Sequence, residues 1–431
     1  MRKNARDCGN KIYYFDNVRQ ISTKKHDTIR TAVHIDKLTF ILINDILIKE
    51  EIMVFFDEYI EKNKGFLDVI YPHTEYKVKY VSTYVSEWLK VAINYPATKN
   101  INFIDCMCNA GIYHEGQLGT TTEVLKIFCE AALKNSHIQF NLFVNDIDSK
   151  RIEIIKYVFE NVTGYTSIEN VNVIYNNSDV NEYLDTLLTK ENYFSYDAKA
   201  FTILFVDPYR FGDVVIKKLN NFFVKYYAEL IFNYFSSDYR RNIKNDSAKN
   251  HKEAMINSMN GIKGYSEEMS AEQVLEIIQG NFIRETRLKY TFAYPFHISS
   301  NVQLYYIIYG TPSIKGIEKI KDCIWNVFNG SSRHRTNPRP NQVSMFSVDE
   351  EKKINIQTYL NKDVEKILQK FKGKKVTFKE INEYVLLNTM LKTSQIIEGV
   401  LKPLISQNKL IKENIKGKRN YKEDMYYFVE D

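Results

Sequence analysis

Short apolar segments alternate with stretches that have amphipathic helical spacing, beginning at residue 101. Near-continuous apolar strands separated by such helices indicate a parallel sheet that is covered on both faces. The segments comprise residues 101–104, 140–144, 171–175, 201–206, 230–235, 292–296 and 302–309. The sequence therefore predicts an α/β fold with a doubly wound, mainly parallel, seven-stranded Rossmann-like sheet.

An aspartate follows each of the first four predicted strands. In a parallel sheet the carboxyl ends of the strands share one edge, where doubly wound folds bind their ligands. Asp105, Asp146, Asp179 and Asp207 are therefore expected to border one crevice. A single aspartate after a strand is more often a helix cap than a ligand contact. Four in register are harder to explain by capping alone.

The loop after the first strand has the sequence DCMCNAG and ends at Gly111. It is not a clean G-x-G-x-x-G loop, and Asn109 occupies the position of the first sharp turn. Asn is the non-glycine residue that best tolerates a left-handed backbone, so the turn can form. An ordinary tight connection between strand and helix remains the alternative.

The five cysteines are odd in number and scattered, which suits reduced thiols in a cytoplasm. Cys106 and Cys108 lack the second pair that a zinc site would need, so no metal is predicted. They are better interpreted as small residues that line the ligand loop.

The interval from Gly111 to Asp146 exceeds the roughly 20 residues expected in a dinucleotide-binding fold. The next helix is predicted to start at a capping box, Thr120 to Glu123. The absence of G-K-[ST] counts against a P-loop. The ordered set of acid, small loop, second acid and third acid resembles a class I S-adenosylmethionine-dependent methyltransferase.

That resemblance implies a Rossmann-like methyltransferase sheet with S-adenosylmethionine as cofactor. The turn from Asp105 to Gly111 would border the methionine moiety, Asp146 would hold the ribose hydroxyls and Asp179 would lie beside the adenine. The implied cofactor-binding residues are Asp105, Cys106, Cys108, Asn109, Gly111, Asp146 and Asp179.

Asp207, Pro208 and Tyr209 resemble the motif with which methyltransferases act on exocyclic amines. There the acid and a backbone carbonyl accept hydrogen bonds from the amine, and the aromatic ring stacks on the base. The three residues are therefore the predicted catalytic set, acting on an amino nitrogen of nucleic acid, and Arg210 is a predicted nucleic-acid contact. The alternative is that Asp207 caps the next helix with Pro208 in its first turn.

The chain of 431 residues is long enough for two or three domains, and its net charge of +6 is compatible with a polyanionic partner. No apolar run reaches the roughly 20 residues of a membrane span. The first residues lack the apolar core of a secretory signal, so a cytoplasmic protein is expected. We predict an N-terminal extension without assigned role (1–65), the methyltransferase-like domain (66–335, with an insertion at about 240–288), a linker (336–360) and a C-terminal domain (361–431).

The C-terminal domain has the pattern of a winged helix-turn-helix. Its first helix opens with a capping box at Thr377, a second helix spans residues 393–407, and a hairpin with a basic tip follows. This predicts a recognition helix and a wing that contact nucleic acid. The predicted contact residues are Lys392, Thr393, Gln395, Lys416, Lys418 and Arg419. The alternative is a winged helix that contacts protein.

Four segments resemble the bacterial three-Cys-motif partner proteins: FIDCMCNAG, FVDPYRFG, QLYYIIYGTPSIKGIEKI and QVSMFS. The resemblance covers roughly residues 70–430. It departs at Asn109 and Arg210, where that family has glycine. It implies a phage- or defence-associated methyltransferase-like protein with a winged helix, encoded beside a three-cysteine, radical-S-adenosylmethionine-like partner. Three hypotheses follow: a nucleic-acid methyltransferase, a non-catalytic subunit of that partner, and a nucleic-acid-binding scaffold.

Overall fold

The computed structural model describes residues 55, 57–189, 200–298, 302–336, 347–413 and 424–429. All of these residues belong to one compact unit, Val54–Asp431. Most of the predicted N-terminal extension lies outside the described residues. So do Lys416, Lys418 and Arg419, the predicted wing contacts.

A central sheet of eight strands has the order β3-β2-β1-β4-β5-β7-β6-β8. Its strands are β1 Asn100–Asp105, β2 Gln139–Asn145, β3 Val171–Asn176, β4 Ala200–Val206, β5 Glu229–Tyr234, β6 Tyr290–His297, β7 Gln303–Thr311 and β8 His334–Arg335. Strands β1 to β5 pair in parallel, and β7 is antiparallel to both β5 and β6. This is a Rossmann-like α/β fold, and the prediction of a doubly wound, mainly parallel sheet is confirmed.

The predicted number of seven strands was one too low. Each predicted strand overlaps one of β1 to β7, but β8 pairs with β6 over only two residues. A two-residue strand is too short to show the period of two by which strands are recognised in a sequence. Strand β8 belongs to the sheet because it pairs with β6, and it has no apolar pattern of its own.

Ten helices accompany this sheet within the described residues. They are α1 Glu58–Lys62, α2 Pro72–Ile93, α3 Thr120–Lys134, α4 Ser149–Val162, α5 Val180–Thr189, α6 Ile216–Lys225, α7 Ser236–Asn242, α8 Lys249–Ser258, α9 Ala271–Glu285 and α10 Ile314–Val327. Helices α8 and α9 lie in the stretch predicted to be an insertion. None of the helices in the described part of the chain is long and apolar enough to cross a membrane.

Alternate residues of the strands feed two separate cores, because successive side chains of a strand point to opposite faces. Ile101 and Phe103 of β1 pack with α2, α3 and α10, whereas Ile104 packs with α5, α6 and α9. Each face of the sheet is thus covered by helices, as the apolar strand sequences predicted. The carboxyl edge between the two layers remains available for a site.

The described residues of the C-terminal part form four helices and a three-stranded antiparallel sheet of order β10-β11-β9. Its elements are α11 Val348–Phe371, β9 Lys375–Thr377, α12 Phe378–Asn388, α13 Thr393–Ile396, α14 Lys402–Ser406, β10 Leu410–Glu413 and β11 Met425–Phe428. A π-helical turn, Ile397–Leu401, joins α13 to α14. Residues 348–360 of the predicted linker belong to α11. The winged helix itself stays a prediction, since the segment between β10 and β11 lies outside the described residues.

Candidate functional site

A cavity of about 510 Å³ opens at the carboxyl ends of β1 and β4. It is lined by the β1–α3 loop, by the residues after β4 and by the segment that leads into α2. This is the edge at which a doubly wound sheet binds its ligands, and the volume lies in the range of small-molecule sites. The predicted site residues on its wall are Asp105, Cys108, Asn109, Gly111, Asp207, Pro208 and Tyr209.

Asp105 ends β1 and is almost completely buried at the wall of this cavity. Its carboxylate accepts hydrogen bonds from the Met107 backbone N–H, at 3.0 Å, and from the Thr121 hydroxyl. Burial raises the pKa of this carboxyl to about 7 despite those two hydrogen bonds. Asp105 can therefore exchange a proton near neutral pH.

The threonine run at the start of α3 binds the β1–α3 loop instead of capping the helix. Thr121 donates to Asp105, and the Thr122 hydroxyl donates to the Gly111 carbonyl at 2.5 Å. The N-cap is Gly119, with no side-chain cap bond, so the predicted Thr120 to Glu123 capping box was wrong. The threonine run is buried beneath the loop, so the hydroxyls of Thr121 and Thr122 form hydrogen bonds at the two ends of the loop and do not cap the helix.

The sharp turn of the loop forms at Asn109, whose φ is +57°. Its backbone N–H donates to the Asp146 carboxylate at 3.0 Å, and its side-chain oxygen accepts from the Ala110 N–H at 2.6 Å. Gly111 also has a positive φ, of +69°. Asn109 thus adopts the left-handed conformation expected from the sequence.

Only two of the four aspartates in register line the cavity. Asp105 and Asp207 do, whereas Asp146 and Asp179 are not among the lining residues. Asp146 accepts the backbone N–H groups of Asn109 and Asp148, and it is 4% exposed. Asp179 accepts the Asn181 N–H at 2.8 Å, as a residue at a helix start commonly does. Both carboxylates therefore accept backbone N–H groups of the loops at this edge of the sheet.

The two cysteines of the loop are buried, and burial raises the pKa of each thiol well above its ordinary value. Cys108 lines the cavity, whereas Cys106 packs in the core on the α5 side of the sheet. Cys108 thus lies where the sequence placed it, whereas Cys106 was wrongly expected at the ligand site, because its side chain points to the opposite face of the loop and into the core. The described residues contain no group of histidine, cysteine and acidic side chains suited to a metal ion.

Asp207 follows β4 and has two charged or polar partners. The Lys77 ammonium forms an ion pair with one carboxylate oxygen, and Asn233 Nδ2 donates to the other at 2.8 Å. Sequence reasoning missed both partners. Lys77 did leave a signal, because it shares a helical face with the buried Tyr80 and Tyr84 of α2. A lysine on an apolar face calls for a buried acceptor, and Asp207 is that acceptor.

Tyr209 belongs to a polar cluster at the mouth of the cavity, which we call the Tyr209 cluster and define as Asp68, Asn109, Arg151 and Tyr209. The Tyr209 hydroxyl donates to Asp68 at 2.7 Å and accepts from Asn109 Nδ2 at 2.9 Å and from Arg151. Arg151 also pairs with Asp68 at 3.1 Å, and its guanidinium lies 5.3 Å from the centre of the Tyr209 ring. The cluster joins four segments that are distant in the sequence, and about half of the Tyr209 side chain remains exposed.

The residues predicted to contact nucleic acid are dispersed. Arg210 lies outside the cavity and pairs with Asp213 at 3.2 Å. At the start of α13, Lys392 pairs with Asp322 of α10 at 3.5 Å, and its backbone N–H donates to Gln395. The Thr393 hydroxyl oxygen is buried. The start of α13 therefore lies against α10, and its contact with nucleic acid stays a prediction.

No protein-family model matches this chain, and no curated protein matches it. Among solved structures it is similar to a spermidine synthase in complex with the transition state analogue AdoDATO, with 12% identity, 65% of this chain and 74% of that chain covered, and a TM-score of 0.31. It is also similar to spermidine synthase from Thermotoga maritima, with 11% identity, coverage of 61% and 67%, and a TM-score of 0.30. A predicted O-methyltransferase from Agrobacterium tumefaciens gives 9% identity, coverage of 64% and 96%, and a TM-score of 0.27. Likenesses this distant carry no argument about function.

Proposed function

We propose that this protein is an S-adenosylmethionine-dependent methyltransferase that acts on an amino nitrogen of a nucleic-acid base. The observation that carries the proposal is the position of Asp207. This carboxylate follows β4 on the wall of the cavity that Asp105 also lines, and Pro208 and Tyr209 come directly after it. A hydrogen-bond acceptor and an aromatic ring are thereby combined at the carboxyl edge of a methyltransferase-like sheet.

The carboxyl groups on the cavity wall suit the positively charged sulfonium group of the proposed cofactor. Bound S-adenosylmethionine supplies a methyl group on a sulfonium, and Asp105 and Asp207 provide carboxyl groups on the cavity wall. Asp105, Asn109 and Gly111 would hold the methionine moiety. Asp146 does not line the cavity, but it accepts the N–H of Asn109, which does, and its lone pairs beyond the two N–H bonds would accept the ribose hydroxyls.

Asp207 would position the acceptor amine. Lys77 and Asn233 fix the orientation of its carboxylate, so one lone pair can accept an N–H of the amine and direct the nitrogen toward the methyl group. The nitrogen would accept the methyl group that the bound cofactor supplies, and Asp207 would receive the hydrogen bond of the proton that the nitrogen then releases to water. Tyr209 offers a half-exposed ring against which the base can stack.

The first test is the effect of Asp207→Asn on transfer of a tritiated methyl group to DNA and RNA. We expect loss of turnover by about 100-fold or more, because Lys77 and Asn233 donate to the two carboxylate oxygens of Asp207 and an amide has only one oxygen to accept them. Binding of S-adenosylmethionine, measured by calorimetry, should change little. Asp146→Ala should instead weaken that binding, and Asp185→Asn on α5, which pairs with Lys218, is the control. Normal turnover in Asp207→Asn would remove Asp207 from the mechanism.

A second candidate function is a non-catalytic subunit of a three-cysteine, radical-S-adenosylmethionine-like protein. This candidate is favoured because two carboxylates of the predicted site already have partners within the protein. Asp207 is paired with Lys77, and Asp146 accepts the Asn109 N–H. Calorimetry with S-adenosylmethionine and S-adenosylhomocysteine measures binding, and the methyl-transfer assay measures turnover. Binding with turnover supports the enzyme. Absence of turnover by the isolated chain, together with co-purification with the partner, supports the subunit.

A further inference from the structure

A second cavity, of about 390 Å³, opens at the edge of the central sheet opposite the candidate functional site. It lies where β4 and β5 begin and where the antiparallel β7 ends, and α2 and α10 supply the remaining wall. Its volume is within the range of small-molecule sites. We call it the amino-edge cavity, and the side chains that decide its chemistry are Trp88, Tyr95, Phe201, Tyr227 and Glu229.

Aromatic rings line the amino-edge cavity. The Phe201 ring of β4 lies 6.0 Å from the Trp88 ring and 5.7 Å from the Tyr95 ring, measured between ring centres, and both neighbours meet it edge to face. Trp88 is 4% exposed, whereas Tyr95 and Tyr227 are each 47% exposed. The aromatic surface therefore extends from the interior of the cavity to its rim. The faces of such rings attract cations.

Glu229, the first residue of β5, is the acid among the residues that line this cavity. Its carboxylate accepts hydrogen bonds from the Tyr84 hydroxyl, at 2.5 Å, and from the Thr311 hydroxyl, at 2.8 Å. No lysine, arginine or histidine of the described residues forms an ion pair with it. Burial raises the pKa of this carboxyl. An acid withdrawn from water in this way is stabilised in its ionised form by a nearby cation.

Two lysines also line the cavity, but acids outside it offset their charges. The Lys315 ammonium pairs with Glu318 at 2.6 Å, and the Lys319 ammonium pairs with Asp322 at 3.3 Å. Among the described residues of the wall, Glu229 is therefore the charged group without a partner of opposite charge.

We propose that the amino-edge cavity binds an organic ammonium cation, with its apolar body against the aromatic rings and its ammonium group at Glu229. The Tyr84 and Thr311 hydroxyls hold the carboxylate in place and leave lone pairs that can accept the N–H groups of the ammonium. The aromatic rings add cation–π attraction. This site lies at the edge of the sheet opposite Asp207, and the inference does not depend on the proposed methyltransferase activity.

Three probes that share one aromatic body and differ in the head group test the charge preference. Phenethylamine is cationic at neutral pH, phenethyl alcohol is neutral and hydrocinnamate is anionic. Their binding to the intact chain is measured by calorimetry, without S-adenosylmethionine or nucleic acid. We expect phenethylamine to bind about 10-fold or more tightly than the other two, because Glu229 attracts the ammonium and repels the carboxylate.

Two variants of the wall separate the charge from the rings. Glu229→Gln keeps the shape of the side chain, and it should weaken phenethylamine binding by about 10- to 100-fold while changing phenethyl alcohol binding little. Tyr95→Leu should weaken phenethylamine binding by about 2- to 5-fold, since it removes a ring and retains an apolar side chain. Because Tyr95 is half-exposed, this variant keeps the test valid if Glu229→Gln is unstable. The control is Glu253→Gln, at an exposed carboxylate of α8 that pairs with Lys249, and it should bind as the parent does.

Tryptophan fluorescence locates the bound probe. The chain has two tryptophans, Trp88 in the amino-edge cavity and Trp325, whose indole N–H donates to the Met390 carbonyl. Phenethylamine should change the emission of the parent. It should leave the emission of Trp88→Phe unchanged, although calorimetry should still detect binding to that variant.

Equal affinity for the three probes, or tighter binding of hydrocinnamate, would overturn the proposal. So would the absence of saturable binding of every probe at millimolar concentration, or phenethylamine binding that neither Glu229→Gln nor Tyr95→Leu weakens. None of these results bears on the methyltransferase proposal, because that proposal concerns the cavity at the carboxyl edge of the sheet.

Discussion

At the scale of single residues, the carboxyl group of Asp105 is the side chain whose chemistry depends most on burial. It lies at 1% exposure, and its pKa is raised to about 7 by burial, with a smaller contribution from the neighbouring Asp207 charge. An unfolded aspartate ionises near pH 4, so the folded chain retains a proton that the unfolded chain has released. The stability of the fold therefore depends on the protonation of Asp105 at the cavity wall.

The expected consequence is a pH-dependent contribution from Asp105. Its protonated form stabilises the fold below about pH 4, and this contribution is lost as the pH rises to about 7, at up to about 1.4 kcal/mol per pH unit. Asp105→Asn should remove this decline, as seen in urea unfolding at a series of pH values. Asp246→Asn, at a highly exposed carboxylate, should retain it. A variant curve parallel to that of the parent would refute the assignment.

At the scale of elements, Gly111 determines how closely the β1–α3 loop approaches its two neighbouring helices. A Cβ at this position would lie 2.6 Å from Ile155 Cγ1 of α4 and 2.8 Å from the Thr122 hydroxyl of α3. The backbone is also left-handed there. Glycine satisfies both requirements, so this residue fixes the loop that forms one wall of the cavity.

Gly111→Ala should lower the free energy of unfolding by about 2–4 kcal/mol, because left-handed strain adds to overpacking against Ile155. It should also weaken cofactor binding, since the loop must move away from α4. The control is Gly65→Ala, where nothing lies within 4 Å of the added Cβ. Chemical denaturation and calorimetry of both variants provide the measurement, and equal stability of the two would contradict this account.

At the scale of the whole described unit, the C-terminal part is fixed to the sheet domain through α10. The buried Lys321 ammonium donates to the carbonyls of Val385, Thr389 and Leu391, and the Trp325 indole N–H donates to the Met390 carbonyl at 2.9 Å. Burial lowers the pKa of Lys321 to about 7, against an opposing effect of Asp363. The contact therefore contains an amine that titrates near neutrality.

This contact should make stability rise with pH. Between about pH 7 and about 10.4 the unfolded lysine holds a proton that the folded one has lost, so the stability contribution is full above pH 10.4 and declines as the pH falls to 7. Lys321→Met should abolish that dependence in denaturant titrations. Lys315→Met, at an exposed site on the same helix, should preserve it. An unchanged slope in the Lys321 variant would show that another group is responsible.

The sequence by itself determined the layered sheet and the place of its site. Apolar strands of four or more residues carry the information for burial on both faces, and residues directly after strands are placed at the carboxyl edge whatever the rest of the chain does. For this reason β1 to β7, the left-handed turn at Asn109 and the cavity position of Asp105 and Asp207 follow from local pattern.

Only the tertiary structure decided which polar groups meet. Asp68 and Tyr209 are 141 residues apart, and Lys77 and Asp207 are 130 apart, and no local spacing links such pairs. The same holds for β8, which is a strand only through its pairing with β6, and for Asp146, whose carboxylate accepts the Asn109 N–H. A sequence pattern specifies which face of an element is buried, whereas a hydrogen bond between distant segments depends on how the packed elements bring their ends together.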